Sequence, residues 1–403
     1  MDRRLLILCT FMMFVAMIGA YYDMWWHVAG LVDTFFTAAH SLIYTAILII
    51  GFSVLGTVIM QMVRLRTWRP LDIPMHRELA LTGAGSTLQL FSGVFDGFYH
   101  TFFGFDITIW SPPHLGAIYG GVLIGIGLTS MWFQQALGWV RRIGAMLTMS
   151  VSMGVLQFAI AEYNVMDRFG QYPAWFALFE ALFFGFLMIW AYRRVGHWYA
   201  TPLGIGFWII QLIICKMWQP FQSLNDGVVH MYDFPYALVG GAILFDLINW
   251  FWSRAGNDRS LWALFVAAIY FGGLTSEILW QTGRNVTNEV MILSILAAVV
   301  GASFAYALVR LIEGYGQLPW WKWFKMSAMS RVKISSVVIL TVCMCFGPGA
   351  VQSFAHALDG DVIKLAKDLE PWVVALQFFL QIWLGYSLAE LILQWNRKKG
   401  VSR

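Results

Sequence analysis

Two stretches of this chain set the same polar residues at the same intervals. The first runs Asp23-Met-Trp-Trp-His27, then Asp33, then His40; the second runs Asp96-Gly-Phe-Tyr-His100, then Asp106, then His114. Each reads Asp, three residues, His, five residues, Asp, then six or seven residues and a final His. The chain is only 12% charged and holds eight His, so a doubled frame that uses half of them is hard to reach by chance. An Asp and a His four apart share one face of a helix. With a second imidazole from across a turn they form a nitrogen and oxygen ligand set suited to Cu, Zn or Fe. Asp23, His27, His40, Asp96, His100 and His114 are therefore the expected metal ligands. If the two copies converge, His40 or His100 can be shared between adjacent metal positions. Asp33 and Asp106 are expected to orient a ligand His through its other ring nitrogen. The plainer alternative is a capping or ion-pair role, because Asp, His, Trp and Tyr are common at helix ends near a membrane surface.

The elements that must hold these residues are helix hairpins. A helix ends on the Asp and first His, a short loop follows, and the second His opens the returning helix. In the second copy the approach is Trp110-Ser-Pro-Pro-His114. Proline pre-sets the first helical turn, and Ser111 is placed to cap it. The first copy has Phe36-Thr-Ala-Ala-His40 there, a softer approach. Weaker echoes follow at Asp167 to Gln171, Asp226-Gly-Val-Val-His230 with Asp233 after it, and Glu277 to Gln281. Of these, Asp226, His230 and Asp233 form the best third copy, with a possible metal role, although the second His is missing.

Composition decides where such hairpins sit. The chain has 403 residues, 59% of them hydrophobic, and a mean hydropathy of +0.67. An ordinary soluble domain is excluded. Apolar runs predict about twelve transmembrane helices, near 5–27, 37–62, 79–100, 114–139, 143–163, 172–192, 198–217, 235–253, 260–280, 290–311, 334–351 and 370–395. The fold class is thus all-α, a polytopic helix bundle in the bilayer. Residues 1–142 hold the two metal-motif hairpins, and 143–403 add further spans. Of the 26 Lys and Arg, only Arg168, Lys216, Arg284, Lys364 and Lys367 fall on the side of the motifs. The positive-inside rule then puts both termini in the cytoplasm and the motifs at the outer leaflet. The inner membrane of a prokaryote is the expected location. The cations are spread over short loops, which argues against a nucleic-acid partner. The four Cys, at 9, 215, 343 and 345, lie in apolar runs and predict no disulfide framework.

Asp-Gly-x-x-His, an Asp six residues on, and a Pro-containing approach to a second His resemble the C subunit of the copper membrane monooxygenases, the particulate methane and ammonia monooxygenases. The resemblance covers roughly residues 20–120. It implies a first copper site on Asp23, His27 and His40. It implies an adjacent second site on His40, His100 and Asp96, where the family has Asn, with His114 matching the last His of the motif. The implied cofactor is copper, with zinc or iron equally open to the bare ligand set. The implied reaction is hydroxylation of a small or lipophilic substrate by activated dioxygen. The implied setting is an oligomer or a complex with other membrane subunits. This chain departs from the family in having about twice the expected number of helices, read from its apolar runs; it shows no cupredoxin domain, which the family supplies on another subunit.

Carboxylates elsewhere in apolar runs, Glu162, Glu180, Asp246 and Glu390, are costly in lipid and call for a role. Glu180 and Asp246 lie deepest; they can pair, line a proton path or bind a cation. A transporter or channel with an Asp/His ion or proton site is therefore the second function to weigh. A structural membrane subunit with a stabilising metal is the third.

Overall fold

The computed structural model describes residues 1–28, 34–103, 112–136, 138–165, 172–222, 235–253, 260–281 and 288–316. Among them are ten α-helices and no strand. The helices are α1 (Arg3–Val28), α2 (Ala38–Leu65), α3 (His76–Phe103), α4 (Pro112–Phe133), α5 (Trp139–Val165), α6 (Tyr172–Val195), α7 (Ala200–Gln222), α8 (Pro235–Ser253), α9 (Ser260–Gln281) and α10 (Asn288–Gly316). They coincide with the first ten apolar runs. The expected spans at 334–351 and 370–395 lie outside the described residues. Three stretches, Arg3–Trp26, Ala38–Leu65 and Pro113–Phe133, are long and apolar enough to cross a membrane.

The helix ends follow from local chemistry. Thr37 caps α2, its hydroxyl accepting the His40 N–H at 3.2 Å. At the other end Arg66 adopts the left-handed conformation (φ 51°) and returns its N–H to Met62 and Val63 carbonyls. Two prolines, Pro112 and Pro113, occupy the first turn of α4, where a missing N–H costs nothing. Gly196, at φ 106°, follows the end of α6.

Contacts divide the chain into two units. One comprises Met1–Tyr99 and Pro113–Arg310, the other His100–Pro112 and Leu311–Arg403. The second lies almost wholly outside the described residues. In the first, α1 packs on α2, α5 and α7, while α8 joins α7 to α9. Its interior is mainly apolar, with Trp132, Phe179, Phe184, Phe207 and Phe245 buried, and small hydroxyl residues are set among them: Thr10, Thr82, Ser86, Thr129, Thr148, Ser150 and Ser152. Its outer face carries Phe52, Leu55, Phe91, Phe98 and Phe251. That is the distribution expected of helices packed in lipid, where small residues let backbones approach and hydroxyls link helices. Trp132 Nε1–H donates to Thr10 Oγ1 across α4 and α1 (2.9 Å), and Tyr21 O–H donates to Gln211 Oε1 across α1 and α7 (2.7 Å). The backbones of α3 and α4 also approach closely. A Cβ at Gly85 would lie 2.5 Å from the Gly120 carbonyl, and one at Gly120 would lie 2.7 Å from the Gly85 carbonyl.

Candidate metal centre

The first hairpin brings its Asp and its second His together. Gly19, one turn before Asp23 on α1, admits the start of α2: a Cβ there would sit 2.8 Å from Ile43 Cγ1 and 3.3 Å from the Ala39 carbonyl. The Thr37 cap fixes the turn that carries His40. The imidazole is then held by Thr34, whose carbonyl lies 2.9 Å from His40 Nδ1. A carbonyl oxygen only accepts, so Nδ1 carries the hydrogen and, in the neutral ring, Nε2 keeps the lone pair. That Nε2 lies 3.1 Å from Asp23 Oδ1. A lone pair set against a carboxylate oxygen at this distance is stable only with a cation shared between them. The cation is either a proton, giving an imidazolium–carboxylate pair, or a metal ion. Two ligand bonds of about 2.0–2.2 Å meeting at 90–110° hold their donor atoms about 2.8–3.6 Å apart, so the observed spacing fits either.

The second hairpin repeats the pairing. Asp96, on α3, is buried, and His114 rises from the first turn of α4 with Nε2 3.7 Å from Asp96 Oδ1. This spacing is slightly wider than that of two ligands on one ion. The residue one turn before the Asp is again small: Ser92 packs against Gly116, leaving no room for a Cβ there. The rigid Pro112-Pro113 start does for His114 what the Thr37 cap does for His40.

Tyr44 joins the two hairpins. Its ring stacks on His40 one helical turn away (centroids 5.6 Å, 25° between planes) and on Phe35 (4.9 Å). On its other side it lies against Gly93, where a Cβ would come within 2.5 Å of Cε1 and 2.7 Å of the hydroxyl. Gly93 is three residues before Asp96. Sequence reasoning missed Tyr44, Thr34 and Gly93. The available signals were the Thr37-x-x-His40 spacing of a side-chain cap and the aromatic four residues beyond His40.

Not every expected ligand can be followed. His27 and His100 lie one turn beyond Asp23 and Asp96 on the backbones of α1 and α3; their side chains are outside the described residues, as are Asp33, Asp106, Asp226, His230 and Asp233 entirely. Among the described residues no group of three or more His, Cys, Asp or Glu gathers as a metal cage. What the structure supplies is one Asp–His pair per hairpin, of the right donor types. A third ligand for each would have to come from His27 or His100. Two His outside the frame are among the described residues: His76 Nδ1 lies 3.1 Å from the Ile73 carbonyl, and the His197 ring packs edge-on against Tyr192.

The two deep carboxylates do not pair. Asp246 on α8 accepts the Thr201 N–H at 2.7 Å and caps the start of α7. Glu180 on α6 is fully buried (0% exposed), faces Gln157 of α5, and borders a cavity of about 20 Å3. Compared with known proteins, the chain matches no family model, no curated protein and no solved structure.

Proposed function

We propose that this chain is an integral membrane metalloprotein, a copper monooxygenase-like subunit that binds one or two metal ions near the outer leaflet. The observation that supports it is the duplicated pair: in each hairpin the leading Asp meets the second His, at 3.1 Å and 3.7 Å. In the first copy a ring nitrogen with its lone pair is aimed at the carboxylate. Asp23, His27 and His40 would hold one ion. Asp96, His100 and His114 would hold the other, or share His40. A bound copper ion would supply dioxygen activation. The residues' own part is to fix the ligands: Thr34 sets the His40 tautomer, and Tyr44 holds the ring plane. Lipid-facing apolar helices would admit a lipophilic substrate from the side. About twelve spans with both termini cytoplasmic belong to this reading, as does residence in a prokaryotic inner membrane with other subunits. The test is elemental analysis of gently purified chain, followed by oxygen-uptake assays with small alkanes and other lipophilic substrates. Copper near one or two ions per chain with substrate-dependent uptake supports the reading; zinc without uptake leaves a structural metal subunit.

Glu180 favours a second reading. A buried carboxylate beside a cavity large enough for about one water is what a proton or ion pathway needs. If the wild-type chain purifies without metal, the Asp–His pairs are ion pairs locking each hairpin, and a transporter becomes the better description.

A further inference from the structure

A groove of about 440 Å3 runs between α2 and α3, away from the Asp–His pairs. Its walls are Leu48, Phe52, Leu55 and Val58 from α2, and Leu79, Ala84 and Leu90 from α3. Phe52 and Leu55 are exposed, so the groove opens on the face that meets lipid. Its length follows from the helical rise: Leu48 to Val58 spans about 15 Å. That is the depth of one leaflet of a hydrocarbon core about 30 Å thick. Gly51 and Gly83 also line it and add no side chain.

One end of the groove is basic. Pro70, Ile73 and His76 close it there, where the last turn of α2 carries Arg64 and the α2–α3 connection carries Arg66, Arg69 and one carboxylate, Asp72, which accepts from the Thr67 hydroxyl at 3.1 Å. All three arginines are exposed, and none makes an ion pair among the described residues. Trp68 stands beside them, 93% exposed, as an aromatic does at headgroup level. An apolar slot one leaflet long, ending in three exposed guanidinium groups against a single carboxylate, with an interfacial Trp beside them, has the shape and charge of a phospholipid site.

We propose that the α2–α3 groove binds an anionic phospholipid, one acyl chain lying along Phe52, Leu55 and Ala84 and the phosphate among Arg64, Arg66 and Arg69. The site does not depend on metal at the Asp–His pairs. The occupant is a phospholipid because one such molecule supplies both an acyl chain of leaflet length for the slot and an anion for the arginines at its end.

The experiment uses the full chain in mixed micelles with phosphatidylglycerol bearing a photoreactive group in one acyl chain. The same label on phosphatidylcholine and on a free fatty acid provides the controls. Crosslinks are mapped by peptide mass spectrometry. Phosphatidylglycerol should label the α2 and α3 peptides that line the groove several-fold more than either control. The combined variant R64Q, R66Q and R69Q should bring that labelling down to the phosphatidylcholine level. Ala84→Phe fills the slot from an exposed position and should remove the labelling from these peptides with the arginines intact. Thermal unfolding in detergent confirms that both variants fold. Equal labelling by the three probes overturns the proposal. So does groove labelling that survives Ala84→Phe, which would mean headgroup binding at the surface only, and so does a crosslink joining two copies of the chain through this groove.

Discussion

At the scale of single residues, the centre depends on how His40 is held. Thr37 satisfies its N–H and Thr34 its Nδ1, so backbone and ring are fixed by two neighbours in the same turn. Thr37→Ala should lower stability by about 1 kcal/mol, the usual loss for a helix cap, seen as a drop in the thermal midpoint in detergent. If metal is bound, the same change should weaken it as well, because the ring loses its fixed approach; an unchanged midpoint would show that the cap is not formed. Tyr44 and Gly93 make a sharper pair. A methyl at Gly93 would press into the Tyr44 ring, and overpacking of this kind costs about 1–3 kcal/mol. Gly93→Ala should therefore destabilise the wild-type chain and do so less in a Tyr44→Ala background. Additive effects in that double-mutant cycle would mean the ring and the glycine do not touch.

At the scale of elements, the hairpins are set by close backbone approach. Gly85 and Gly120 each leave room for the other's carbonyl, and backbone cannot yield as the end of a side chain can. Gly85→Val should cost about 3 kcal/mol or more and should push α3 from α4, breaking the Asp96–His114 pair while sparing Asp23–His40. A cysteine pair bridging α3 and α4 near those glycines would report it, and unchanged crosslinking in the variant would refute the packing. The helices themselves were legible in the sequence, because runs of apolar residues near membrane length have few alternatives. The pairing of Asp with the second His inside each hairpin was legible too, from the repeated spacing. The partner of Asp246 was not: an aspartate in an apolar run reads as a buried functional group until the start of α7 is seen folded against it. Tyr44 was hidden for a similar reason, since an aromatic in a membrane helix carries no mark of the glycine it will meet on another hairpin.

At the scale of the whole molecule, the hydroxyl residues set between packed helices, the large apolar residues on the outside and the spread of Arg and Lys describe a protein built for lipid. Both termini and the loop at Arg66 should be cytoplasmic, with the loop after His27 outside. Cysteines introduced at positions 33 and 66 of an active variant should label from opposite sides of the membrane; labelling from the same side would refute the orientation. The central claim is that the duplicated Asp–His pairs hold metal, and metal content per chain tests it most directly. The measurement compares wild type with single His→Ala variants, each checked for folding. Wild type should carry one or two ions. Loss of His27, His40, His100 or His114 should empty a site, loss of Asp33 or Asp106 should weaken binding about 10–100-fold, and loss of His76 or His197 should change nothing. A wild-type chain that purifies gently without metal, or frame variants that keep it in full, would contradict the metalloprotein reading.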